Sequence, residues 1–177
     1  MKTNHEFKLH SGWTFALMTV VIITAAIVFP VSSFAAKPDF TGTWKLNEGK
    51  SQIGEMRFRP ISLLHVSQDK SSLTVAGTRI GRNGQERKTE FVYSLEGKET
   101  TNQGGQRTRT STAKWSEDGI SLILHSTSRW TREGRTFESV STETWMIGEN
   151  GKTLTINNKS SNPRGEFSYQ AVYDLVE

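Results

Sequence analysis

Residues 130–147 read WTREGRTFESVSTETWMI, in which two runs of alternating side chains flank the turn residues Glu133-Gly134. A Gly-containing pair between two β-rich runs predicts a two-residue hairpin turn. Side chains on the facing strands then pair one to one, and the apolar ones fall on a single face. The predicted pairs are Trp130 with Phe137, Leu122 with Trp145, and Ile120 with Ile147.

The neighbouring turns predict the same apolar face. Downstream, Asn150-Gly151 reads as a two-residue turn, and upstream Glu117-Asp118 reads in the same way. A slip of one residue at any of these turns would scatter the apolar side chains over both faces, so the three agreeing turns predict the register. The added pairs are Ile147 with Leu154, Trp145 with Ile156, Trp115 with Ile120, and Ala113 with Leu122.

Turn residues recur along the whole chain after residue 36, and no stretch there shows a helical apolar period. The further turns are Asp69-Lys70, Asn83-Gly84, Glu96-Gly97 and Gly104-Gly105. A three-residue loop at 82–84 pairs Val75 with Phe91 and Leu73 with Tyr93. The predicted strands are 40–47, 60–68, 71–81, 86–95, 107–116, 119–131, 135–147, 152–158 and 166–176, with an optional short strand at 98–103. Residues 48–59 are predicted to form a long loop or a short helix.

An antiparallel meander with one apolar face must cover that face. No helices are predicted that could do so, and the sheet therefore closes on itself or folds into a sandwich. Closure is the simpler solution, and the predicted fold class is all-β, an antiparallel up-and-down β-barrel of 8–10 strands. Barrels of about eight strands either fill with side chains or hold one small ligand.

The first strand of this barrel lies in residues 39–47, DFTGTWKLN. Phe40, Gly42, Trp44 and Leu46 alternate, so all four are predicted to face inward. Trp44 is predicted to plug the closed end as a structural residue, and Gly42 to let another backbone or ring approach closely.

Gly42-Thr43-Trp44 on a first strand resembles the calycin group, which comprises lipocalins, fatty-acid-binding proteins and avidins. The stretches Glu143-Thr144-Trp145 and 151–156, GKTLTI, are similar to the end of small exported bacterial lipocalin-like proteins. The chain differs from true lipocalins in residues 166–176, which contain no Arg to pack across the Trp. The resemblance implies a lipocalin-like barrel with a cavity, and it implies no specific ligand.

The N-terminal segment has the pattern of a secretory signal peptide. Lys2 and Lys8 precede an apolar run at 13–29, Pro30 ends the run, and the small residues Ser33 and Ala35 precede Ala36. The predicted organisation is a signal peptide at 1–35 and one lipocalin-like β-barrel domain at 36–177. An uncleaved membrane anchor is the alternative. The predicted location is exported, either periplasmic or extracellular.

Composition excludes some classes of partner. The chain carries 22 Lys and Arg against 18 Asp and Glu, and these charges are scattered without a like-charged run. No nucleic-acid partner is expected from so small an excess. The chain has no Cys, so the exported domain must be stabilised by its core and its ladders without disulfides.

The register also predicts a polar layer inside the open end of the barrel. Arg109 is predicted opposite Ser126, Arg107 opposite Ser128, and Glu143 opposite Leu124. Buried charges are costly unless they are paired, hydrated or bound to a ligand, so this layer is a candidate site for an acidic or polar head group. Residues 48–59, which include Met56, Arg57, Phe58 and Arg59, are the candidate lid. The predicted ligand-binding residues are Arg107, Arg109, Ser126, Ser128, Trp130, Phe137, Ser139, Ser141 and Glu143.

A second interpretation of the polar layer stays open. The barrel interior can be fully packed, with Arg109–Glu143 as an ordinary cross-strand pair at a solvated rim. No catalytic motif is present, and the two histidines after residue 36, His65 and His125, are predicted to face outward. Two histidines are too few for a metal site, so no metal is predicted. Without a catalytic motif, no catalytic residue and no cofactor is predicted.

The predicted function is that of an exported, monomeric barrel that binds or carries a small amphipathic or hydrophobic molecule. The chain would meet the membrane only transiently, through its signal peptide. The alternative is a cell-envelope protein-interaction or inhibitor module with a filled barrel, which would use its mildly apolar outer wall. A barrel enzyme is the least favoured interpretation.

Overall fold

The computed structural model of the protein describes residues 36–54, 59–80, 84–148 and 150–176. The predicted signal peptide and residues 55–58 of the predicted lid lie outside the described residues. The elements are β1 (Gly42–Leu46), a 3-10 turn (Glu48–Lys50), β2 (Leu63–Gln68), β3 (Ser72–Ile80), β4 (Glu86–Ser94), β5 (Thr100–Gly104), β6 (Arg107–Trp115), β7 (Ser121–Arg132), β8 (Arg135–Ile147), β9 (Thr153–Asn162) and β10 (Gly165–Leu175).

All ten strands belong to one antiparallel sheet in the order β4-β3-β2-β1-β10-β9-β8-β7-β6-β5. The first strand pairs with the last, with Trp44 opposite Leu175. After β1 the chain passes through the 3-10 turn and remains next to β10. There the backbone of Gln52 forms an antiparallel bridge to Gln170. The sheet is thereby a nearly closed barrel, and the predicted fold class is confirmed, including the optional strand at 98–103.

The two outer strands of this order, β4 and β5, meet at a seam without a backbone ladder. The side chain of Asn102 on β5 takes the place of that ladder. Its Oδ1 accepts from the backbone N–H of Val92 at 2.8 Å, and its Nδ2 donates to the Val92 carbonyl at 3.0 Å. One amide side chain can form hydrogen bonds with both the N–H and the carbonyl of a strand residue, because it carries both a donor and an acceptor.

Removal of the Asn102 side chain is therefore expected to open the seam locally. In Asn102→Ala, hydrogen exchange of the Val92 amide should accelerate by about fivefold or more, since a typical hydrogen bond contributes about 1 kcal/mol. Gln103→Ala is the matched control, because Gln103 is the exposed neighbour on the opposite face of β5. Unchanged Val92 exchange in Asn102→Ala would show that the contact is not what closes the barrel.

The predicted register is confirmed for most hairpins. The structure pairs Trp130 with Phe137, Leu122 with Trp145, Trp145 with Ile156, Ile147 with Leu154, Val75 with Phe91, and Leu73 with Tyr93. At the turn that set this register, Glu133 has φ 53° and Gly134 has φ 72°. Positive φ at both central residues is the type I′ geometry of a two-residue hairpin.

The predicted register of β6 against β7 is wrong by two residues. Trp115 faces Leu122 and Ala113 faces Leu124, because the loop contains four residues instead of two. Ser116 and Asp118 stabilise the longer loop, since Asp118 accepts from the Ser116 hydroxyl and from the backbone N–H of Ile120. Ile120 consequently pairs with neither Trp115 nor Ile147 and is 51% exposed. A shift of two residues keeps every side chain on its predicted face.

The closed end of the barrel is filled by the first strand and the aromatic residues around it. Trp44 is 1% exposed and Phe40 is fully buried, and the Trp44 indole donates to the Phe40 carbonyl at 2.9 Å. Trp115 stacks on the Phe40 ring, and Trp145 meets the same ring edge-on. Gly42 has φ 147°, a conformation that residues with a side chain rarely adopt, which explains the Gly two residues before the buried Trp.

A second glycine is required on β3. A Cβ atom placed on Gly77 would lie 2.7 Å from Cδ1 of Ile61, whose side chain packs against the core. Residues 77–84 are predicted to form the end of a strand followed by a turn. In the described part of this segment β3 extends to Ile80, and Gly84 has the positive φ of a turn residue, 75°. Residues 82 and 83 of the predicted loop lie outside the described part of the chain.

Candidate ligand-binding site

An ion pair lies inside the barrel, between the apolar core and the open end. Arg109 on β6 donates from Nη2 to Oε1 of Glu143 on β8 at 3.2 Å. The two side chains are only 16% and 14% exposed, so both charges are largely removed from solvent. Each partner offsets part of the desolvation cost of the other.

Neighbouring polar groups fix the geometry of this pair. The second carboxylate oxygen of Glu143 accepts from the Trp145 indole at 3.1 Å. Arg109 also donates to the Ser126 hydroxyl at 3.0 Å, and Ser126 bonds the hydroxyl of Ser111 at 2.9 Å. Because Trp145 is packed in the core, the carboxylate is anchored to the closed end of the barrel.

One donor of Arg109 is left without an acceptor. Its Nε is buried and has no hydrogen-bond partner among the described residues. Its guanidinium lies over two aromatic rings, 4.8 Å from the Phe91 centroid and 6.0 Å from the Tyr93 centroid. Burial acts to lower the pKa of Arg109, but Glu143 and Tyr93 act to raise it, and the net direction is upward. A buried, permanently charged group with a free N–H is poised to meet an oxygen acceptor.

All three tyrosines of the protein face this region of the interior. Burial raises the pKa of Tyr93, Tyr169 and Tyr173 well above that of a free phenol, so all three are neutral at physiological pH. The charge of Glu143 also raises each pKa, whereas Arg109 lowers the pKa of Tyr93 and Tyr169. The ion pair of Arg109 and Glu143 therefore lies beside neutral phenols.

The mouth of the barrel carries a stack of three side chains. The guanidinium of Arg107 lies 4.5 Å from the centroid of the Trp130 ring, and Trp130 stacks on Phe137 at 5.8 Å. Burial lowers the pKa of Arg107, and the nearby cations Arg79 and Arg109 lower it further. The stack thus combines a cation with an extended aromatic surface.

The structure brings the predicted site residues to one end of the barrel interior, with one correction. Ser126 faces Ser141, Ser128 faces Ser139, and Leu124 faces Glu143, as predicted. Arg109 lies opposite Ser128 and Arg107 lies opposite Trp130, so both predicted arginine pairings are wrong. The cause is the two-residue shift of β6. The long Arg109 side chain still reaches Ser126, and ligand binding by these residues stays a prediction.

Sequence reasoning missed several residues of this layer. Asn158 on β9 is buried and accepts from the Ser160 hydroxyl at 2.6 Å. Asn158 follows Leu154 and Ile156 at alternate positions, and Tyr169 precedes Ala171 and Tyr173 in the same way, so continued alternation would have placed both inside. The residues missed are Phe91, Tyr93, Ser111, Asn158, Ser160 and Tyr169.

The histidines lie on the outer face, as predicted. His65 is exposed and bonds the Thr43 hydroxyl, and His125 is exposed and bonds the Thr142 hydroxyl. In the described ranges, no three His, Asp or Glu side chains are grouped to hold a metal ion. No helix of the described chain is long and apolar enough to cross a membrane.

A surface groove of about 570 Å³ crosses strands β8, β9 and β10. Most of its lining residues occupy positions that alternate with the inward serines, so the groove belongs to the outer wall. Lys159 and Glu166 supply its charges, and Val140, 48% exposed, supplies apolar surface. Ser141 and Ser160, which belong to the polar layer of the interior, also line the groove.

Comparison with known proteins gives one structural similarity. No protein-family model matches the chain, and no curated protein matches it. Its structure is similar to the crystal structure of zebrafish ileal bile acid-binding protein complexed with cholic acid, with a TM-score of 0.48 and 15% identity. The match covers 77% of this chain and 98% of that chain. Because this similarity is so low, the assignment of the fold as a barrel rests on the strand pairing of the protein itself.

Proposed function

We propose that the protein is an exported binding protein whose barrel interior takes a small amphipathic molecule with an anionic head group. The observation that carries this proposal is Arg109, a buried cation whose Nε has no acceptor in the described structure. Glu143 and Ser126 hold the guanidinium in place, so its free N–H is directed and preorganised. A carboxylate-type oxygen is the acceptor that suits an arginine fork best.

The surroundings of Arg109 support an amphipathic ligand over a fully polar one. Phe91, Trp130 and Phe137 provide apolar surface between Arg109 and the mouth. Ser128 and Ser139 add hydroxyl groups at the same level of the barrel. Sites for small ligands combine such apolar walls with a few well-placed polar groups.

The second candidate is a cell-envelope interaction or inhibitor module with a filled barrel. The observation that favours it is the groove on the outer wall, which contains the exposed side chain of Val140 together with Lys159 and Glu166. In this case Arg109–Glu143 would serve only as a cross-strand pair, and extraction of the purified protein would release no bound molecule.

Titration calorimetry of dodecanoate binding tests the first candidate. In Arg109→Lys the positive charge beside Glu143 is kept, but the Nε donor and the planar fork are lost. We expect the dissociation constant to rise about tenfold or more, because a hydrogen bond to a charged group contributes about 1.5–3 kcal/mol. Arg129→Lys is the matched control, since Arg129 lies on the outer face and pairs with Glu138.

Three outcomes bear on the proposal. Weaker binding in Arg109→Lys alone supports it, and equal affinity in both variants would remove Arg109 from the site. Native mass spectrometry of protein purified from the cells that make it, followed by organic extraction, gives an independent result. A discrete extra mass would identify the natural ligand class, whereas a clean apo mass with no dodecanoate binding would favour the interaction module.

A further inference from the structure

The two faces of the sheet carry different charged residues. At inward positions, given by the alternation of each strand, the positive residues are all arginines: Arg79, Arg87, Arg107, Arg109, Arg132 and Arg135. The only inward carboxylate of these strands is Glu143. Lysines of the strands, by contrast, take outward positions, as Lys88 and Lys114 do. The inner face thus carries an excess of the cation that binds oxyanions through a planar fork.

Part of this excess lies at the mouth, away from Glu143. Arg79 and Arg87 are directly opposite each other on β3 and β4. Like charges at facing positions of a sheet repel and destabilise the pair. Neither of these arginines, nor Arg107, has a carboxylate within ion-pair distance in the described part of the chain.

The mouth arginines share one space with the interior. Burial lowers the pKa of Arg107 and the charge of Arg79 lowers it further, and Arg79 opposes the rise that burial causes in the pKa of Tyr169 and Tyr173 on β10. The field of Arg79 therefore reaches across the opening and into the layer that contains Arg109. Arg107 lies two residues from Arg109 along β6, a spacing of about 7 Å on the same face.

We infer that the ligand carries two anionic groups, one held by Arg109 and the other by Arg79, Arg87 and Arg107 at the mouth. The inference rests on the proposed function and specifies its ligand class as an amphipathic dianion, such as a medium-chain dicarboxylate. The first anionic group meets the free Nε of Arg109, and the second offsets part of the charge of three arginines that have no carboxylate within ion-pair distance among the described residues. The aromatic side chains of Trp130 and Phe137 contact the apolar segment between the two groups.

Octanoate and octanedioate are a matched pair of probes, because they share one chain length and differ by one carboxylate. In titration calorimetry, octanedioate is expected to bind at least tenfold more tightly than octanoate. Arg79→Gln/Arg87→Gln should remove most of this difference, because it should weaken octanedioate binding much more than octanoate binding. Lys88→Gln/Lys114→Gln is the control, since it removes the same charge from exposed outward positions.

The outcomes separate the inference from the proposed function. If octanoate and octanedioate bind equally to the native protein, or if the two double variants behave alike, the second anionic group is excluded while the head-group site at Arg109 stands. If neither octanoate, octanedioate nor dodecanoate binds, both the inference and the proposed function fail. A tenfold preference that disappears only in Arg79→Gln/Arg87→Gln would support the dianionic ligand.

Discussion

Replacing Trp44 with Ala is expected to lower the free energy of unfolding by about 3–5 kcal/mol, the range for large aromatic residues in protein cores. Trp44 is 1% exposed, and it lies on the strand that joins β2 to β10. Its removal would leave a cavity at the closed end and would free the Phe40 carbonyl that accepts from its indole at 2.9 Å. Both losses act on the same layer of the core.

Urea denaturation, followed by circular dichroism, measures this change. Trp130→Ala is the matched control, because Trp130 has the same side chain but is only partly buried at the mouth. We expect the control to lose less than half as much stability. Equal losses in the two variants would contradict the assignment of Trp44 as the structural plug, and would show that the mouth is packed as firmly as the closed end.

The second large effect is expected at Glu143. Glu143→Leu should lower the free energy of unfolding by about 3–5 kcal/mol, because it leaves the positive charge of Arg109 buried without a partner. The double variant Arg109→Met/Glu143→Leu should recover most of that loss, since apolar side chains can replace a buried ion pair at little or no cost. A double-mutant cycle measures the coupling directly.

Glu138→Leu is the control for this cycle. Glu138 pairs with Arg129 at 2.7 Å, but their side chains are 48% and 67% exposed. An exposed pair contributes little, so we expect a change within about 0.5 kcal/mol. If Glu143→Leu costs no more than Glu138→Leu, water reaches Arg109 freely, and the ion pair is not a constraint on the interior.

The sequence predicted the parts of the fold that depend on local turn chemistry. Glu133-Gly134 fixed one hairpin because two positive φ values are required there, and Asn150-Gly151 preserved the register of the next. Glu117-Asp118 was assigned too short a loop, because the bonds from Ser116 and Asp118 that extend it form only in the folded turn. Arg109 still lies on its predicted inner face, since a shift of two residues preserves the alternation of the strand.

Other features depend on contacts between distant segments, which the sequence pattern does not encode. The Asn102 side chain replaces a backbone ladder only because the curvature of the barrel brings β5 to β4. The pairing of Arg109 with Glu143 was predicted from the strand register, but the unpaired Nε of Arg109 was not. The position of Nε depends on the rotamer of the Arg109 side chain, and the alternation of side chains along a strand does not predict rotamers.

The pairing of β1 with β10 has a consequence for the folding kinetics of the protein. Strands β1–β4 and strands β5–β10 are two meanders, in which each strand pairs with its neighbour in sequence. Such local hairpins close early because their loops cost little entropy, whereas contacts between remote segments form slowly. The chain is therefore expected to assemble as two curved half-barrels, and the rate-limiting step is expected where the first strand meets the last.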